Sequence, residues 1–479
     1  MIGGGLAGLS SAVALAEAGF RVRLLEKRPH LGGRAASYVL PDGEHVDNCQ
    51  HVTLGCCTNL EDFYRRVGAG DKIRFYDRLI FAAPDGRRGV MQASRLSPPL
   101  HMFPSFAFFP LLDWADKRGI ARAMLTIARS GGCPSDISSF EAARLGPRHT
   151  ANTAANMTML EWLERHGQTQ GAIRRFWEVV LVSALDEELD RTDARYGIDV
   201  FWKAFLSTRG GYRVGIPCVP LGELYDGCRE SIERRSGEVL LRAGVRRFVV
   251  TDGIVRGVER DDGSVETADY YIAAVTQDLL PALLPPEIVD REPVFSNLRH
   301  LKTSPITGVH LWFDRNVMSE PFLTLLDSTI QWVFNKTQLY GDSAKGNGQY
   351  LQLVISASYA LVQRSRQEII DLCLDELRRV LPGVRDAQLT KGTVVKEISA
   401  TFSPSPGSDN WRPAQRSPLA ALFLAGDWTS TGWPSTMEGA VRSGYLAAEG
   451  ILSDDGAPRK LVRPDLPAEG LARLWVCKS

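Results

Sequence analysis

The stretch Gly3-Gly4-Gly5-Leu6-Ala7-Gly8 decides the fold, because it matches the pattern G-x-G-x-x-G near the start of a chain of 479 residues. An Ala-rich run over 9–18 favours a helix after it, and the alternating residues 20–25 favour a strand. Glu26 then follows about 20 residues beyond the glycines. This order is typical of a dinucleotide-binding unit, in which glycines allow a tight turn, close approach of a pyrophosphate and close helix packing. The helix N-terminus offers N–H groups to the phosphates, and the Glu26 carboxylate is predicted to bind the ribose hydroxyls.

A second glycine pair follows that acid, in Gly32-Gly33-Arg34. Two glycines let the backbone approach a cofactor closely, and Arg34 can face a pyrophosphate or the edge of a flavin. An acid followed shortly by Gly-Gly-Arg resembles the FAD-binding entry of the glutathione-reductase-like flavoproteins, in their amine oxidase and phytoene desaturase branch. The resemblance implies FAD as the cofactor. The plainer alternative is a glycine turn with a surface arginine.

A strand followed by a helix near the C-terminus is predicted to complete the cofactor site. The apolar run 422–425 favours a strand that Gly426-Asp427 follows, and a helix is predicted to begin at about 435–438 and to continue through Gly439 to about Leu452. The N-terminus of that helix can point at a flavin, and its dipole favours negative charge on the reduced ring. The Asp427 carboxylate is predicted to bind a ribityl hydroxyl.

Ser435 and Glu438 have capping-box spacing at the start of this helix, so we interpret Glu438 as a helix cap. We assign the flavin contact to backbone N–H groups at Met437 instead. The predicted cofactor-binding residues are Gly3, Gly5, Gly8, Glu26, Gly32, Gly33, Arg34, Val245, Gly426, Asp427 and Met437.

Composition narrows the class of protein. The chain has 56 basic and 56 acidic residues, and this balance gives no sign of nucleic-acid binding. Its cysteines have neither C-x-x-C nor zinc-finger spacing, so we expect free thiols, a reducing cytoplasm and no metal. No apolar run reaches transmembrane length. Only Met1 and Ile2 precede the glycines, so we expect an apolar first strand that begins upstream and ends in Ile2. The eight cysteines are Cys49, Cys56, Cys57, Cys133, Cys218, Cys228, Cys373 and Cys477.

The predicted elements divide the chain into two domains, each built from separated segments. The expected fold class is α/β, with a glutathione-reductase-like FAD-binding Rossmann domain and a discontinuous α+β substrate domain. Residues 119–210 are mostly helical in pattern, and 238–275 read as a β-meander. The predicted segments are 1–80, 212–285 and 410–455 for the FAD-binding domain, 81–211 and 286–409 for the substrate domain, and 456–479 for a C-terminal tail.

Three further stretches resemble the bacterial hydroxysqualene dehydroxylases, also called squalene-associated FAD-dependent desaturases. The resemblance covers nearly the whole chain, to about residue 452. It implies a reductive dehydroxylation, in which hydroxysqualene loses its hydroxyl group as water and takes hydride from reduced FAD to give squalene for hopanoids or sterols. Cys49 departs from the family, which favours glycine there, and this puts in doubt any role that needs a bare backbone. The stretches are Val46-Asp47-Asn48-Cys49-Gln50-His51, Gln331-Trp332-Val333-Phe334-Asn335, and Ala425-Gly426-Asp427-Trp428 with Trp433-Pro434-Ser435-Thr436-Met437-Glu438-Gly439-Ala440-Val441.

The implied chemistry needs a proton donor, because hydroxide is a poor leaving group, and a dry apolar environment for the allylic cation. We predict Asp47 and His51 as the catalytic acids, since they follow the Gly-Gly-Arg loop in the segment that passes the flavin. The alternative is that Asp47 and Gln50 only hydrogen-bond the loop and that His51 is a core histidine.

Three aromatic residues, Trp332, Phe334 and Trp433, are predicted to wall the substrate tunnel. They lie in the stretches that carry the resemblance. Ordinary core packing is the equal alternative for each of them.

An apolar, Pro-broken segment over 102–112 is followed by Lys117, Arg118 and Arg122. Substrates of squalene size reside in the bilayer, so we expect this segment to enter one leaflet and the cations to meet anionic headgroups. The alternative is a buried wall of the substrate domain. The expected partners are therefore an isoprenoid lipid and a membrane surface, and the expected location is cytoplasmic, at the inner face of the plasma membrane.

Two other classes of function stay open at this point. One is a carotenoid or phytoene desaturase, or an amine oxidase, of the same fold. Amine oxidases tend to have an aromatic cage and a lysine near the flavin, and neither can be placed in this sequence. The other is a non-catalytic isoprenoid-lipid carrier, although such relatives lose the flavin glycines that this chain keeps.

Overall fold

A parallel sheet assembled from distant parts of the chain supports the glycine-rich turn. In the computed structural model, which describes residues 1–132, 157–341 and 348–476, Ile2 bridges Leu25 on one side and Ala273 on the other, both in parallel. Strand β1 pairs with β9, and β13 pairs with β19, also in parallel. The strands are β1 (Arg23–Glu26), β2 (Ser37–Val39), β3 (His45–Asp47), β4 (Thr53–Leu54), β5 (Ile73–Tyr76), β6 (Leu79–Ala82), β7 (Arg88–Met91), β8 (Val214–Pro217), β9 (Glu238–Leu241), β10 (Val245–Thr251), β11 (Ile254–Arg260), β12 (Val265–Glu266), β13 (Tyr271–Ala273), β14 (Thr303–Phe313), β15 (Phe322–Leu325), β16 (Trp332–Asn335), β17 (Gln349–Ile355), β18 (Leu389–Phe402) and β19 (Leu422–Leu424).

Two helices from opposite ends of the chain pack on this sheet and on each other. They are the Ala-rich helix Leu6–Glu17 and the C-terminal helix Met437–Asp454. A Cβ at Gly444 would overlap the Ala7 carbonyl oxygen, so the two backbones are in direct contact. Because the helix after the turn and the helix after β19 share one core with the sheet, the two predicted cofactor elements are brought together.

The second sheet has seven strands in the order β18–β14–β17–β16–β15–β6–β7. Val309 and Leu311 of β14 point to the face that packs on the helix Arg366–Val380. The opposite face carries Trp332 and Phe334, which belong to the core of the helical region. The α-helices span Leu6–Glu17, Thr58–Arg66, Phe103–Ala107, Trp114–Arg129, Met159–Arg165, Gln170–Ala172, Glu178–Leu185, Ala194–Val200, Asp226–Glu233, Leu280–Leu283, Pro286–Arg291, Pro293–Ser296, Lys336–Tyr340, Arg366–Val380, Gly383–Asp386 and Met437–Asp454.

The predicted fold class is confirmed: a Rossmann-type parallel sheet joins an α+β part built on the seven-stranded sheet. The prediction of one β-meander over 238–275 is correct only for β10, β11 and β12. Strand β9 pairs with β1 instead, and the predicted run 265–275 divides into β12 and β13 because the exposed residues between them cross to the parallel sheet. The boundaries proposed for the domain segments stay a prediction. Cys133, Cys477 and part of the predicted helical run 119–210 lie outside the described residues.

Candidate active site

The glycine-rich turn has a shape suited to phosphate binding. Gly3 has φ +103°, a conformation that residues with side chains rarely adopt, and a Cβ at Gly8 would overlap the Gly3 carbonyl oxygen. A Cβ at Gly5 would meet nothing closer than the Gly33 Cα at 3.8 Å. Packing within the protein therefore explains Gly3 and Gly8, whereas the open space beside Gly5 fits the predicted approach of a ligand.

The groups around this turn suit a dinucleotide. No side chain caps the helix Leu6–Glu17, and no acid lies in its first turn, so its first N–H groups are open to an anion. The Gly32 N–H donates to the Gly4 carbonyl oxygen at 2.8 Å, which holds the Gly-Gly-Arg loop beside the turn. Glu26 accepts the Gly4 N–H at 2.6 Å, and so its carboxylate lies where the ribose is expected.

Val245 begins β10 close to the same acid. The Ala243 N–H, two residues earlier, donates to the Glu26 carbonyl oxygen at 2.9 Å. The sequence-based assignment of Val245 to the cofactor site is therefore compatible with its position.

A salt bridge joins the two ends of the predicted cofactor site. The Arg34 guanidinium donates to Asp427 Oδ1 at 2.5 Å and to the Ala400 carbonyl oxygen at 2.5 Å. The Ser435 hydroxyl donates to the other oxygen of Asp427. Asp427 thus lies directly after the Gly426 turn and beside the start of the C-terminal helix, and Arg34 neutralises its charge.

The start of the C-terminal helix differs from the capping box expected for it. Thr436 caps the helix by accepting the Gly439 N–H at 3.1 Å. Glu438 is fully buried and accepts the backbone N–H groups of Asn59 and Leu60 at 3.0 and 2.7 Å. Glu438 therefore caps a different helix, Thr58–Arg66, because that helix begins beside it in space. The prediction that Glu438 caps its own helix is wrong.

Asp47 lies in a buried polar cluster. Its Oδ2 accepts Lys336 Nζ and the Tyr340 hydroxyl, both at 2.8 Å, and its Oδ1 accepts the Ser37 hydroxyl at 2.7 Å and the Leu221 N–H at 3.0 Å. Burial opposes ionisation of Asp47, but the Lys336 ammonium and these hydrogen bonds outweigh it and hold the pKa of Asp47 below its ordinary value.

This environment contradicts the predicted role of Asp47 as a proton donor. A carboxylate that is ionised and accepts four hydrogen bonds has no proton to give. The alternative interpretation, that Asp47 organises the loop, agrees with the geometry, and Gln50 supports it by accepting Lys336 Nζ at 2.6 Å.

His51 also lacks the properties predicted for it. Its Nδ1 lies 2.9 Å from the Cys49 carbonyl oxygen, and burial lowers the pKa of the imidazole below its ordinary value. The ring is therefore neutral at physiological pH. The role of His51 as a protonated acid is not supported, because ionisation would require a charge in a buried place.

Two adjoining apolar cavities lie on the helical side of the seven-stranded sheet. The outer cavity has a volume of about 300 Å³ and opens between Leu100, Phe103 and Leu125, which are roughly half exposed. The inner cavity has a volume of about 170 Å³ and reaches Met437 at the start of the C-terminal helix. Both cavities share one wall, so they lie side by side between the surface and the predicted flavin contact, and we refer to the pair as the passage. The shared wall residues are Leu79, Phe81, Val180 and Phe205.

The three predicted tunnel aromatics have different positions. Trp332 and Trp433 line the inner cavity, and their role as walls of a substrate tunnel stays a prediction. Phe334 is not among the described residues that line either cavity, because it packs behind Trp332, with the two rings stacked at 5.7 Å. Its prediction as a tunnel wall is wrong, and core packing accounts for it.

A second buried aspartate, Asp186, follows a helix that lines the inner cavity. The helix Glu178–Leu185 lines the inner cavity with Ser183 and Ala184, and Asp186 ends it in a left-handed conformation with φ 53° and ψ 40°. Asp186 Oδ1 accepts the Ala357 N–H at 2.9 Å, and Ala357 is itself left-handed with φ 47°. Such residues cost on the order of 1–3 kcal/mol each and cluster at functional sites.

The surroundings of Asp186 contain no cation partner among the described residues. Its Oδ2 accepts the Thr401 hydroxyl at 2.9 Å, and the neighbouring Glu187 is fully buried. Burial raises the pKa of Asp186 well above its ordinary value, the hydrogen bonds from Ala357 and Thr401 oppose this, and the charge of Glu187 adds to it. Burial also raises the pKa of the Cys49 thiol to about 12, with a further contribution from nearby Asp186, which places Asp186 beside the segment that follows the Gly-Gly-Arg loop.

Sequence reasoning missed both Lys336 and Asp186. Lys336 directly follows the stretch Gln331–Asn335, but no local pattern shows that it meets a carboxylate 289 positions away. Asp186 lies in the acidic run Asp186-Glu187-Glu188, which reads as a solvated helix end. The position of a carboxyl group at the end of an apolar helix is the one sequence signal that could have indicated a buried Asp186.

Three elements define an FAD-dependent oxidoreductase. The dinucleotide-binding turn lies before the helix Leu6–Glu17, the C-terminal helix Met437–Asp454 packs beside that helix, and the inner apolar cavity reaches Met437. The chain belongs to the family of flavin containing amine oxidoreductases, whose model matches residues 6–452. Among the described residues no group of three His, Cys, Asp or Glu side chains could hold a metal ion.

The chain matches curated relatives over nearly its whole length. The chain is 28% identical over 483 positions to the zeta-carotene desaturase of Synechocystis sp., covering 95% of this chain and 97% of that protein. It is 27% identical to the 15-cis-phytoene desaturase of Solanum lycopersicum, covering 94% of this chain and 77% of the relative.

Solved structures share the fold. An oxidoreductase from Methanosarcina mazei superposes with a TM-score of 0.70 at 17% identity, covering 94% of this chain and 99% of the other. Cyclohexylamine oxidase from Brevibacterium oxydans superposes with a TM-score of 0.62 at 16% identity, covering 95% and 98%. At such identities the likeness shows the fold alone.

Proposed function

We propose that this oxidoreductase carries out the reductive dehydroxylation of hydroxysqualene to squalene. The observation that carries the proposal is the pair of adjoining apolar cavities, the outer one lined by half-exposed Leu100 and Phe103 and the inner one by Met437 beside the cofactor elements. A long hydrocarbon chain suits such walls, because burying apolar surface is favourable by roughly 25 cal/mol per Å². FAD supplies the hydride when it is bound and reduced.

Different residues of the chain would bind the cofactor and line the substrate site. The turn at Gly5, the Glu26 carboxylate and the start of the C-terminal helix at Met437 would hold FAD. Trp332 and Trp433 would line the inner passage and exclude water from an allylic cation. The choice of hydroxysqualene rests on the resemblance of the three quoted stretches to the hydroxysqualene dehydroxylases.

A second candidate is oxidation of a polyene. The curated relatives named zeta-carotene desaturase and 15-cis-phytoene desaturase favour it, and the same apolar passage suits a carotenoid. Desaturation oxidises the substrate and dehydroxylation reduces it. The two candidates therefore predict opposite changes in the redox state of the flavin.

An anaerobic single-turnover experiment separates these functions. Enzyme reduced with light or dithionite is mixed with hydroxysqualene, the flavin absorbance is followed, and products are identified by mass spectrometry. We expect reoxidation of the flavin together with squalene. No reoxidation with hydroxysqualene, combined with reduction of the oxidised enzyme by phytoene or zeta-carotene, would favour the desaturase. A carrier would do neither.

We also propose that the mouth of the passage contacts a membrane surface. Phe103, which lines the outer cavity, and Phe108 and Trp114, which follow it in the chain, are 55%, 87% and 73% exposed, whereas Phe109 of the same segment is buried. The exposed Arg118 and Arg122 lie on the following helix and would meet anionic headgroups. No helix in the described part of the chain is both long and apolar enough to cross a membrane.

Vesicle sedimentation tests this surface. The triple variant Phe103→Ser, Phe108→Ser and Trp114→Ser should lose binding to anionic lipid vesicles while it keeps its flavin. The matched control is Val265→Ser, which removes a 55% exposed apolar side chain from the β-meander and should bind normally. Equal vesicle binding by the triple variant and the control would contradict the membrane surface.

A further inference from the structure

We propose that Lys203 and Asp199 bind the hydroxyl group of the substrate in the inner cavity, an inference that rests on the proposed dehydroxylation. Both residues belong to the lining of that cavity, whose other walls are mostly apolar. Their side chains are 20% and 24% exposed, so neither is fully buried in the protein. The pair therefore places one cation and one anion on the wall of a cavity that otherwise suits a hydrocarbon chain.

The local chain geometry brings the two side chains together. Asp199 lies in the helix Ala194–Val200, and Lys203 lies in the π-helical segment Phe201–Leu206 that continues it. Residues four positions apart lie on one side of a helix, and Lys203 Nζ is 2.6 Å from Asp199 Oδ2. Ala204, the next residue, also lines the cavity, so this side of the segment faces it. Segments of π-helix are rare and are frequently found at functional sites.

The Lys203 ammonium lies between groups that themselves line the cavity. Its Nζ is 4.7 Å from the centre of the Trp433 ring, and both Trp433 and Asp199 belong to the lining. It donates one hydrogen bond to Asp199, and a second carboxylate oxygen, Asp465 Oδ2, lies 3.5 Å away. Among the described residues Nζ has no third oxygen partner, so one of its three N–H groups is available to a ligand.

The same pair also offers a hydrogen-bond acceptor. Asp199 Oδ2 accepts Lys203, whereas Oδ1 accepts no hydrogen bond from the part of the chain that the structure describes. Burial lowers the pKa of the Lys203 ammonium, but the charges of Asp199 and Asp465 outweigh burial and raise it above its ordinary value, although Arg442 opposes them. Lys203 therefore stays a charged donor at neutral pH, beside an open acceptor oxygen.

An alcohol fits this pair because its hydroxyl group is both a donor and an acceptor. The substrate oxygen would accept the available N–H of Lys203, and its hydrogen would be donated to Asp199 Oδ1. A hydrocarbon offers neither partner, so the site would favour an alcohol over a polyene. Squalene lacks the hydroxyl group, and the product would therefore lose both contacts and be released more readily than the substrate.

The pair is linked to the elements predicted to hold the flavin. The Arg412 guanidinium donates to the carbonyl oxygens of Trp433 and Asp427, at 2.7 and 3.2 Å. Trp433, whose ring contacts Lys203, is thus tied to the segment that carries the predicted ribityl partner. Met437 lines the same cavity. A hydroxyl group bound by the pair would therefore lie in the cavity that also reaches the predicted flavin contact.

Equilibrium binding to the oxidised holoenzyme tests this site without turnover. Isotope-labelled hydroxysqualene and squalene are supplied in the same detergent micelles, and the ligand retained by the protein is measured over a range of protein concentrations. Wild type should bind hydroxysqualene at least about tenfold more tightly than squalene. In Lys203→Met the affinity for hydroxysqualene should fall about 10- to 100-fold, since a hydrogen bond to a charged group is lost, and that for squalene should change less than about threefold.

A double variant keeps the test valid if the single one fails to fold. Lys203→Met combined with Asp199→Leu removes the pair without leaving a lone buried charge, an exchange that proteins often tolerate. It should bind squalene as well as wild type does and lose the preference for hydroxysqualene.

Lys391 provides the matched control. It pairs with Asp42 and lies 4.4 Å from the centre of the Trp312 ring, but it is not among the described residues that line either cavity. Lys391→Met should therefore keep the wild-type preference for hydroxysqualene. The ratio of FAD to protein, measured in every variant, should be unchanged.

The outcomes separate this inference from the proposed function. Equal affinity of the wild type for both ligands, or an equal loss for both in Lys203→Met, would overturn the hydroxyl site even if the reduced enzyme converts hydroxysqualene to squalene. A wild type that prefers the alcohol through Lys203, yet does not reoxidise its flavin with hydroxysqualene, would overturn the dehydroxylation and support the pair as a hydroxyl-binding site.

Discussion

The phosphate-binding turn at Gly3–Gly8 and the buried aspartates Asp47 and Asp186 depend on different physical features. In the turn, the backbone explains Gly3, by its φ of +103°, and Gly8, by overlap with a carbonyl oxygen, and the open space beside Gly5 fits the approach of a ligand. Around the aspartates, burial and neighbouring charges determine the direction in which the pKa of each carboxyl group is shifted. The shape of the turn is determined by consecutive residues. The charge balance around an aspartate depends on partners that are distant in sequence and that only the fold brings together.

The two aspartates also differ from each other, although both are buried. Lys336 neutralises Asp47, and the pKa of Asp47 is lowered; Asp186 has no cation beside it among the described residues, and its pKa is raised by burial. Exposure alone does not distinguish them, because Asp47 is 1% exposed and Asp186 is 5% exposed. Lys336 therefore accounts for the opposite directions in which the pKa values of these two aspartates are shifted.

The largest expected effect is on stability, from breaking the Asp47–Lys336 pair. Lys336→Met should lower the free energy of unfolding by about 3–5 kcal/mol, because it leaves a buried carboxylate without a cation. The double variant Lys336→Met with Asp47→Asn should recover part of that loss. Denaturant unfolding measures both, and a loss below about 1 kcal/mol in the single variant would contradict the importance of the pair.

A smaller effect tests the turn. Gly8→Ala should lower the free energy of unfolding by about 1–3 kcal/mol, because its Cβ would overlap the Gly3 carbonyl oxygen. Gly5→Ala should change stability of the apoprotein by less than about 0.5 kcal/mol, yet weaken FAD binding. Unfolding of the apoproteins and the ratio of flavin to protein after purification measure these outcomes, and full flavin content in Gly5→Ala would show that the ligand does not approach there.

The smallest effect is a difference in pH dependence. The lowered pKa of Asp47 means that its stabilising contribution is present above about pH 4, the ordinary value for aspartate, and is lost as pH falls toward the folded value. The raised pKa of Asp186 has the opposite sign: its contribution is present below about pH 4 and is lost as pH rises toward the folded value. Unfolding measured over pH should therefore show opposite slopes for the difference between wild type and Asp47→Asn and that between wild type and Asp186→Asn.

Much of the fold could be predicted from the sequence, because its signals are local. The turn, the helix Leu6–Glu17 and the meander strands β10–β12 follow from glycine positions and alternation. The error at Glu438 has the opposite cause: its spacing fits a capping box, yet the N–H groups of the distant helix Thr58–Arg66 are the ones it accepts.

The candidate site was only partly predictable for the same reason. The cofactor elements are marked by glycines, but the apolar passage is assembled from helices and strands far apart in the chain. The exposed Phe108 and the buried Phe109 are adjacent and chemically identical, so only the fold assigns one to the surface and the other to the core.

Infrared difference spectroscopy at neutral pH compares the protonation of the two aspartates directly, because we expect Asp186 to keep its proton and Asp47 to be ionised. A buried protonated carboxyl group has a carbonyl stretching band that an ionised one lacks. We expect such a band in the wild-type protein and in Asp47→Asn, its loss in Asp186→Asn, and its disappearance as pH is raised. A band that persists in Asp186→Asn and vanishes in Asp47→Asn would contradict the assignment of the proton.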